Sequence, residues 1–498
     1  MSAAPLRPRH HPGIALDSLV PGASGRLTGI CLDSRQILPG DLYVALPGQH
    51  VHGASFAEQA VERGALAILT DAAGAASIEV GVPVVVCPDP RAEMGELAAA
   101  IYGRPSLHLE MFGVTGTNGK TSTVFLLEAG LAALGRRVAT IGTIGFRIDG
   151  SAVATPRGTV TTPDAPDLQG MLGHMVEARV DAVAMEVSSH ALALHRATGI
   201  GFDVAAFTML GQDHLDFHAT MDDYFEAKTR LFLGGRARIA VINIDDPWGC
   251  RLADLVRADG HARLVTTAVQ ADADYRVLDW STAPDGSSTV RLAHPGGELC
   301  YGISMLGDFN VRNSLTALAM LGSAGLDVAV AAAGLITAQV PGRMQKVDLG
   351  PDAPHVVVDF AHTPSAVAAA LRALPSGGRH IAVLGAGGDR DPGKREPMGR
   401  AAAEAADVVI VTDDNPRSEV PEAIRAAVLA GARHGARDGV RVIDGGERRA
   451  AIAAALELAD PSDWVAILGK GHETGQTIGD RVWPFDDVEV VRDLARRK

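Results

Sequence analysis

Val114-Thr115-Gly116-Thr117-Asn118-Gly119-Lys120-Thr121 is the stretch that decides how this chain is read. Met111 to Val114 form an apolar run that suits a short strand. Ser122 to Glu128 set apolar residues at helical spacing. A Gly-rich loop between a strand and a helix turns backbone N–H groups, and the positive end of the helix dipole, toward a bound anion. Gly116, Thr117, Asn118 and Gly119 would form that cradle. Lys120 would reach the outer phosphates, and the Thr121 hydroxyl would sit on a magnesium ion. The strict pattern has a glycine where Val114 stands, so an ordinary Gly-rich turn is the competing reading. The Lys-Thr pair in this context favours a site for a nucleoside triphosphate.

Bulk properties bound the rest. A chain of 498 residues should form about three domains, each with its own core. A formal net charge of −14 argues against a general nucleic-acid binder, which presents a basic surface. Cys31, Cys87, Cys250 and Cys300 lie far apart and predict buried apolar residues rather than a zinc site or a disulfide framework. Met1 to Gly13 is polar, without an apolar leader core, and reads as disordered. No later run has the length of a membrane span. A cytoplasmic protein with no membrane insertion is expected.

The chain reads as three α/β blocks. Residues 1–105 alternate short strands and helices, at 26–33, 41–46, 65–69 and 82–87 for strands and 56–64 and 91–102 for helices. Residues 106–340 hold the phosphate loop and strands at 180–187, 204–210 and 239–244, which predicts a mainly parallel sheet covered by helices. The strand-rich stretch 274–303 reads as a small side sheet. Residues 341–498 carry strands at 355–360, 380–384, 408–412, 440–444 and 463–468, which predicts a second, doubly wound sheet with active loops after the strand ends.

Ionisable residues at the ends of apolar strands mark chemistry. Glu186 ends Ala182-Val183-Ala184-Met185-Glu186. Beside a phosphate loop its natural role is to bind magnesium, with a helix-capping carboxylate as the alternative. His214, in Asp213-His214-Leu215-Asp216, lies past another strand. It reads as a metal ligand in preference to a structural histidine. In the third block three loops follow strands: Gly385 to Asp391, Thr412 to Glu419, and Gly469-Lys470-Gly471-His472-Glu473. Arg390 and Arg417 can each grip a carboxylate with two bonds, and Glu473 can hold an ammonium group. That set suits a zwitterionic amino acid with an extra acidic group; a solvated surface cluster is the alternative.

These residues together resemble the Mur ligases, ATP-dependent amino-acid ligases of bacterial cell-wall synthesis, from about Asp33 to Asp487. The most specific stretches are Thr115 to Thr121, Glu186-Val187-Ser188-Ser189-His190, Asp213 to Asp216 and Asp359-Phe360-Ala361-His362-Thr363-Pro364. Asp33-Ser34-Arg35 and Gly40 to Ala45 resemble the family's UDP-binding domain. The resemblance implies three domains: UDP-binding (1–105), central ATP-binding (106–340) and a Rossmann-like amino-acid-binding domain (341–498).

The resemblance also implies roles that composition does not. Lys228, which alone would read as a surface lysine, matches a lysine that carbon dioxide converts to a carbamate; with His214 it would serve a second magnesium. Asn310, Asn313, Arg343 and Asp359 match ATP contacts. Ser34, Thr161, Thr162, Ser188 and Arg196 match contacts to a UDP-muramyl dipeptide. Asp414-Asn415-Pro416-Arg417, with Arg390, Gly469 and Glu473, matches the site for meso-diaminopimelate, whose extra carboxylate would pair with Arg417. Lysine would leave that arginine without its partner. The implied reaction joins meso-diaminopimelate to the D-glutamate side chain of UDP-N-acetylmuramoyl-L-alanyl-D-glutamate, with ATP and magnesium, in a monomer. A lysine-adding ligase and a non-catalytic ATP-binding regulator are the alternatives. Leu194, Met209, Gly211 and Gln212 depart from the pattern of many relatives, which bears on the substrate contacts there.

Overall fold

The computed structural model describes residues 6–48, 50–155, 160–214 and 217–496. Leu215 and Asp216 of the expected His214 motif lie outside them. By contact density the chain divides into two compact units. One is Met1–Leu278 with Arg291–Leu299 and Arg312–Leu335; the other is Asp279–Val290 with Cys300–Val311 and Ile336–Lys498. The expected blocks 1–105 and 106–340 thus fall largely within the first unit.

The first unit contains a four-stranded parallel sheet of Gly29–Cys31, Asp41–Ala45, Ala67–Thr70 and Val84–Val86. It also contains the parallel core of a larger sheet. There the phosphate-loop strand Glu110–Thr115 pairs in parallel with Ala182–Glu186 on one side and Phe202–Phe207 on the other, and Ala237–Asn243 and Arg263–Ala268 follow. Central strands covered on both faces carry unbroken apolar runs, which is why Ala182-Val183-Ala184-Met185 is fully buried. The phosphate-loop helix is longer than its periodicity indicated, running over Lys120–Ala133.

Two sequence expectations are corrected in this region. The stretch 274–303 is not a separate side sheet: Tyr275–Thr282, Ser288–His294 and Gly297–Ile303 continue the large sheet beyond Arg263–Ala268. The open edge of that strand offers unpaired backbone groups, and Thr267 and Ala268 pair with Tyr275 and Arg276. The start of the chain is also held in place from Leu6 onward. Arg7 pairs with both oxygens of the buried Asp41 at 2.6 and 2.9 Å, and His11 Nδ1 meets the Ile101 carbonyl at 3.1 Å. Arg7 serves burial of a charge pair, while Arg9 and His10 remain exposed. Of the cysteines expected inside, Cys250 and Cys300 are exposed, because both sit on solvent-facing positions of their elements.

The second unit has a six-stranded sheet in the order Gln345–Val347, His355–Asp359, Trp464–Leu468, His380–Leu384, Val408–Thr412, Arg441–Gly446. All neighbours but the first pair are parallel. Helices pack on it as the doubly wound reading requires. A short hairpin, Gly475–Ile478 with Arg481–Pro484, follows the Gly469 loop; its polar sequence gave no strand signal.

Candidate active site

The phosphate loop starts where Glu110–Thr115 ends. Gly116 and Gly119 have φ of +148° and +88°, conformations that only glycine adopts without strain. A Cβ on Gly116 would collide with Thr208 Oγ1, and one on Gly119 with Asn313 Oδ1. Asn313 is therefore packed against the loop. The next strand end clamps the loop from beside it: Thr117 N donates to the Met209 carbonyl at 2.8 Å, Gly211 N donates to Thr117 Oγ1 at 2.9 Å, and Thr208 Oγ1 donates to the Asn118 carbonyl at 2.6 Å. Met209 and Gly211 act here through their backbones, which explains how this loop tolerates their departure from the family pattern.

Lys120 folds back onto the loop, its Nζ 2.8 Å from the Gly116 carbonyl and 2.9 Å from that of Thr117. Thr121 Oγ1 donates to Glu186 Oε1 at 2.9 Å, so the helix start and the strand end expected to share a metal are in contact. Thr143, which the sequence did not single out, also holds this carboxylate: its N–H donates to Oε1 at 2.9 Å and its hydroxyl to Oε2 at 3.2 Å. Only the intervening Val138–Gly142 strand brings Thr143 there. Thr161 meets the Thr143 hydroxyl at 3.2 Å, Thr162 donates to the Glu186 carbonyl at 2.9 Å, and Ser188 N donates to Thr162 Oγ1 at 3.2 Å. Arg196 reaches the Thr162 carbonyl at 3.1 Å and Asp164 at 3.1 Å.

Lys228 lies on the helix Met221–Thr229, whose Thr220 side chain caps its start. It is 1% exposed, donates to the Gly116 carbonyl at 3.0 Å and sits 4.5 Å above the Tyr224 ring. Burial, and next the charge of Lys120, hold its pKa well below the usual lysine value. A lowered pKa raises the share of free amine, the form that acts as a nucleophile. The His214 ring lies 6.0 Å from that of Tyr224 and 4.8 Å from the His190 ring. Among the described residues no three His, Cys, Asp or Glu side chains converge as a metal cage. The donors that do converge, Thr121 and Glu186, are hard oxygens, which fit magnesium completed by phosphate oxygens and water.

Ser34 lies in a separate pocket of the first unit, about 620 Å³ in volume, with Asp33, Arg35, Phe56, Arg91 and Asp164. Its hydroxyl donates to Gln59 at 2.6 Å.

In the second unit the Gly385, Thr412 and Gly469 loops meet at the carboxyl edge of the sheet. Gly388 N donates to the Asn415 carbonyl at 2.9 Å, and Gln476 Nε2 to the Asp414 carbonyl at 2.7 Å. Asn415 Nδ2 bridges Asp414 Oδ1 and Glu473 Oε2, both at 2.9 Å. A Cβ on Gly469 would strike the Asp414 carboxylate. Lys470, fully buried, lies 3.1 Å from Glu473 Oε2; the sequence reading passed over it because a lysine in a Gly-rich loop looks solvated. Arg417 takes a left-handed φ of +52° after Pro416 and anchors one guanidinium nitrogen on the Gly388 carbonyl at 2.6 Å. Arg390 is exposed beside Gly387, which also borders Arg417. Asp359 accepts the N–H groups of Met344 and Ala361 at 2.7 and 2.8 Å, and burial raises its pKa. Arg343 stacks on Phe360 at 5.4 Å, and Asn310 donates to the Leu306 carbonyl at 2.8 Å.

A phosphate cradle after the central strand of one parallel sheet, with a polar loop cluster at the carboxyl edge of a second, defines a multidomain α/β protein of the phosphate-loop class. Three family models match in sequence: Mur ligase family, catalytic domain (26–102), Mur ligase middle domain (114–321) and Mur ligase, glutamate ligase domain (342–471). The chain belongs to the Mur ligase family.

It is 46% identical over 486 residues to the UDP-N-acetylmuramoyl-L-alanyl-D-glutamate–2,6-diaminopimelate ligase of Streptomyces coelicolor, covering 96% of this chain and 94% of that one. It is 42% identical to the UDP-N-acetylmuramyl-tripeptide synthetase of Leifsonia xyli, covering 94% and 91%. A solved structure of a UDP-N-acetylmuramoyl-L-alanyl-D-glutamate–2,6-diaminopimelate ligase superposes with a TM-score of 0.74 at 33% identity, covering 98% of this chain and 99% of that one. No helix among the described residues is long and apolar enough to cross a membrane.

Proposed function

We propose that this chain is the ATP-dependent ligase that joins meso-diaminopimelate to the D-glutamate side-chain carboxylate of UDP-N-acetylmuramoyl-L-alanyl-D-glutamate, in peptidoglycan precursor synthesis. The near full-length identity of 46% to a ligase of that name supports it. The observation that carries it is the arrangement of Lys120, Thr121, Glu186 and Lys228 around one phosphate loop. In this reading the domains are 1–105, 106–340 and 341–498, and the three family models at 26–102, 114–321 and 342–471 support those boundaries.

The D-glutamate carboxylate oxygen attacks the γ-phosphorus of ATP, and ADP leaves. The diaminopimelate amine then attacks the acyl carbon; the carbon–oxygen bond to phosphate breaks, and the amine proton is lost. Gly116 to Thr121 bind the triphosphate, and Lys120 offsets charge that grows on the transferred group. Asn310, Asn313, Arg343 and Asp359 would add the further ATP contacts that the resemblance implies. Thr121 and Glu186 would hold magnesium, which when bound neutralises phosphate charge. Lys228, whose burial eases loss of its proton, is suited to attack carbon dioxide as the free amine through Nζ, releasing a proton and leaving an anionic carbamate for a second ion with His214. Ser34, Thr161, Thr162, Ser188 and Arg196 would bind the UDP-muramyl dipeptide.

Arg390, Asp414, Asn415, Pro416, Arg417, Gly469 and Glu473 would bind diaminopimelate. The reading extends to a monomer working in the cytoplasm, where soluble precursors of this kind are made. Phosphate release is measured with UDP-muramyl dipeptide and a panel of amino acids. Release driven by meso-diaminopimelate alone is expected; release driven best by lysine reassigns the third residue, and none with any amino acid removes the ligase reading.

A further inference from the structure

On the first unit a pocket of about 610 Å³ is lined by residues that include Asp222, Glu226, Thr229, Arg230, Arg236 and Arg251. It is not part of the phosphate-loop site. Glu110–Thr115, Phe202–Phe207 and Ala237–Asn243 run parallel, the phosphate loop leaves their carboxyl edge, and Arg236 precedes the amino end of Ala237–Asn243. The two lie at opposite edges of one sheet.

Three arginines, Arg230, Arg236 and Arg251, line this pocket against two acids, Asp222 and Glu226. Arg251 is satisfied: it pairs with Asp222 at 2.5 Å and stacks on Phe225 and Trp248 at 4.8 and 5.5 Å. Arg230 and Arg236 have no hydrogen-bond or ion-pair partner for their guanidinium groups among the described residues. Arg236 is half-buried, and burial, then the charge of the exposed Arg230, lower its pKa. Glu226 lines the pocket without pairing to either. Glu96, the acid that opposes Arg236 from outside, is engaged by Arg104 at 3.1 Å. The charges of Arg230, Arg236 and Arg91 also act on nearby His195, against Asp89. Two neighbouring unpaired guanidiniums in a concavity suit a doubly charged tetrahedral oxyanion, which each can grip with two N–H groups. Leu233 and Leu255 offer apolar surface beside it, and the volume is that of an ordinary small-molecule site.

We propose that this pocket is a second binding site, separate from the ligase centre, for a small phosphorylated molecule whose phosphate is bridged by Arg230 and Arg236. Thr229 and Glu226, which line it, lie on the same helix as Lys228.

The test is equilibrium dialysis of the full chain with magnesium and saturating β,γ-imido-ATP, which fills the phosphate loop. The probes are fructose 1,6-bisphosphate, inorganic phosphate, fructose and citrate. A single equivalent of the bisphosphate is expected to bind, with inorganic phosphate weaker at the same site and fructose silent. Arg230→Gln, at an exposed position, and Arg236→Gln should each weaken binding by about tenfold or more while ligase turnover without probe stays near that of the parent. Uptake that persists in Arg230→Gln, citrate binding as tightly as the bisphosphate, or no uptake at millimolar probe overturns the site.

Discussion

Lys120 and Lys228 share one acceptor: their Nζ atoms lie 2.8 and 3.0 Å from the carbonyl oxygen of Gly116. Two ammonium groups on one oxygen repel, and Lys228 is the one removed from water, so its proton is the one held weakly. A buried base with a depressed pKa costs the fold most below its folded pKa, where the charged amine is buried; between that value and the unfolded one only the unfolded chain still holds the proton. That cost fades as pH rises and vanishes above the ordinary value of 10.5. Lys228→Met, in buffer free of carbon dioxide, should therefore melt above the parent at neutral pH, with the gap narrowing toward pH 10.5. A melting series across pH checks this; a gap that stays constant would mean that no charged amine is being buried.

The same residue should matter chemically. Lys228→Ala is expected to be inactive and partly rescued by formate or acetate, which can place a carboxylate where the carbamate would stand. Phosphate release with and without the added acid measures it. Full activity without rescue would return Lys228 to a packing role.

Lys120→Ala should lose about 10²–10³ in turnover, the usual cost of removing one preorganised charge from a phosphoryl-transfer site. The fold should survive, since Lys120 is only partly buried and contacts its own loop. Single-turnover kinetics with circular dichroism as the folding control decide it.

The phosphate loop was legible because its chemistry is local: strand, glycines, Lys120 and Thr121 are consecutive. Glu186 was legible for the same reason, as a carboxylate ending an apolar strand. Lys228 was not, because its helix pattern is that of any amphipathic helix and only the sheet brings it to Gly116. Thr143 stayed hidden since its partner is 43 residues away in sequence. In the third block the loops were placed by the strand pattern. Glu473, however, is not free to meet a ligand alone: Lys470 and Asn415 already hold it, a network that depends on three strand ends converging. The start of the chain misled for the opposite reason, since the composition of Leu6 to Gly13 cannot reveal that Asp41 waits for Arg7.

Arg448 and Asp487 form a fully buried pair at 2.8 and 2.7 Å, and Arg448 also donates to the Leu468 carbonyl at 3.1 Å, one residue before Gly469. Asp487→Ala leaves that guanidinium uncompensated in the core, which should cost about 3–5 kcal/mol. Denaturant unfolding followed by circular dichroism measures it. A loss below about 1 kcal/mol would mean that water reaches Arg448.

Arg417→Ala should impair use of diaminopimelate far more than use of ATP or of UDP-muramyl dipeptide. One guanidinium nitrogen of Arg417 is fixed by the Gly388 carbonyl, and its backbone is tied to the Gly475–Ile478 strand through the Thr477 carbonyl at 3.1 Å. The side chain is thus fixed at one nitrogen, and on the proposed reading the rest of its fork would meet the distal carboxylate. Losing a charge-assisted pair held in this way should cost roughly 2–5 kcal/mol of apparent binding. Discrimination against lysine should shrink too, since lysine no longer leaves an arginine without its partner. Apparent Michaelis constants for all three substrates, with lysine as competitor, check both effects. An unchanged constant for diaminopimelate would remove Arg417 as the selector and leave the third amino acid to be fixed by the other loops.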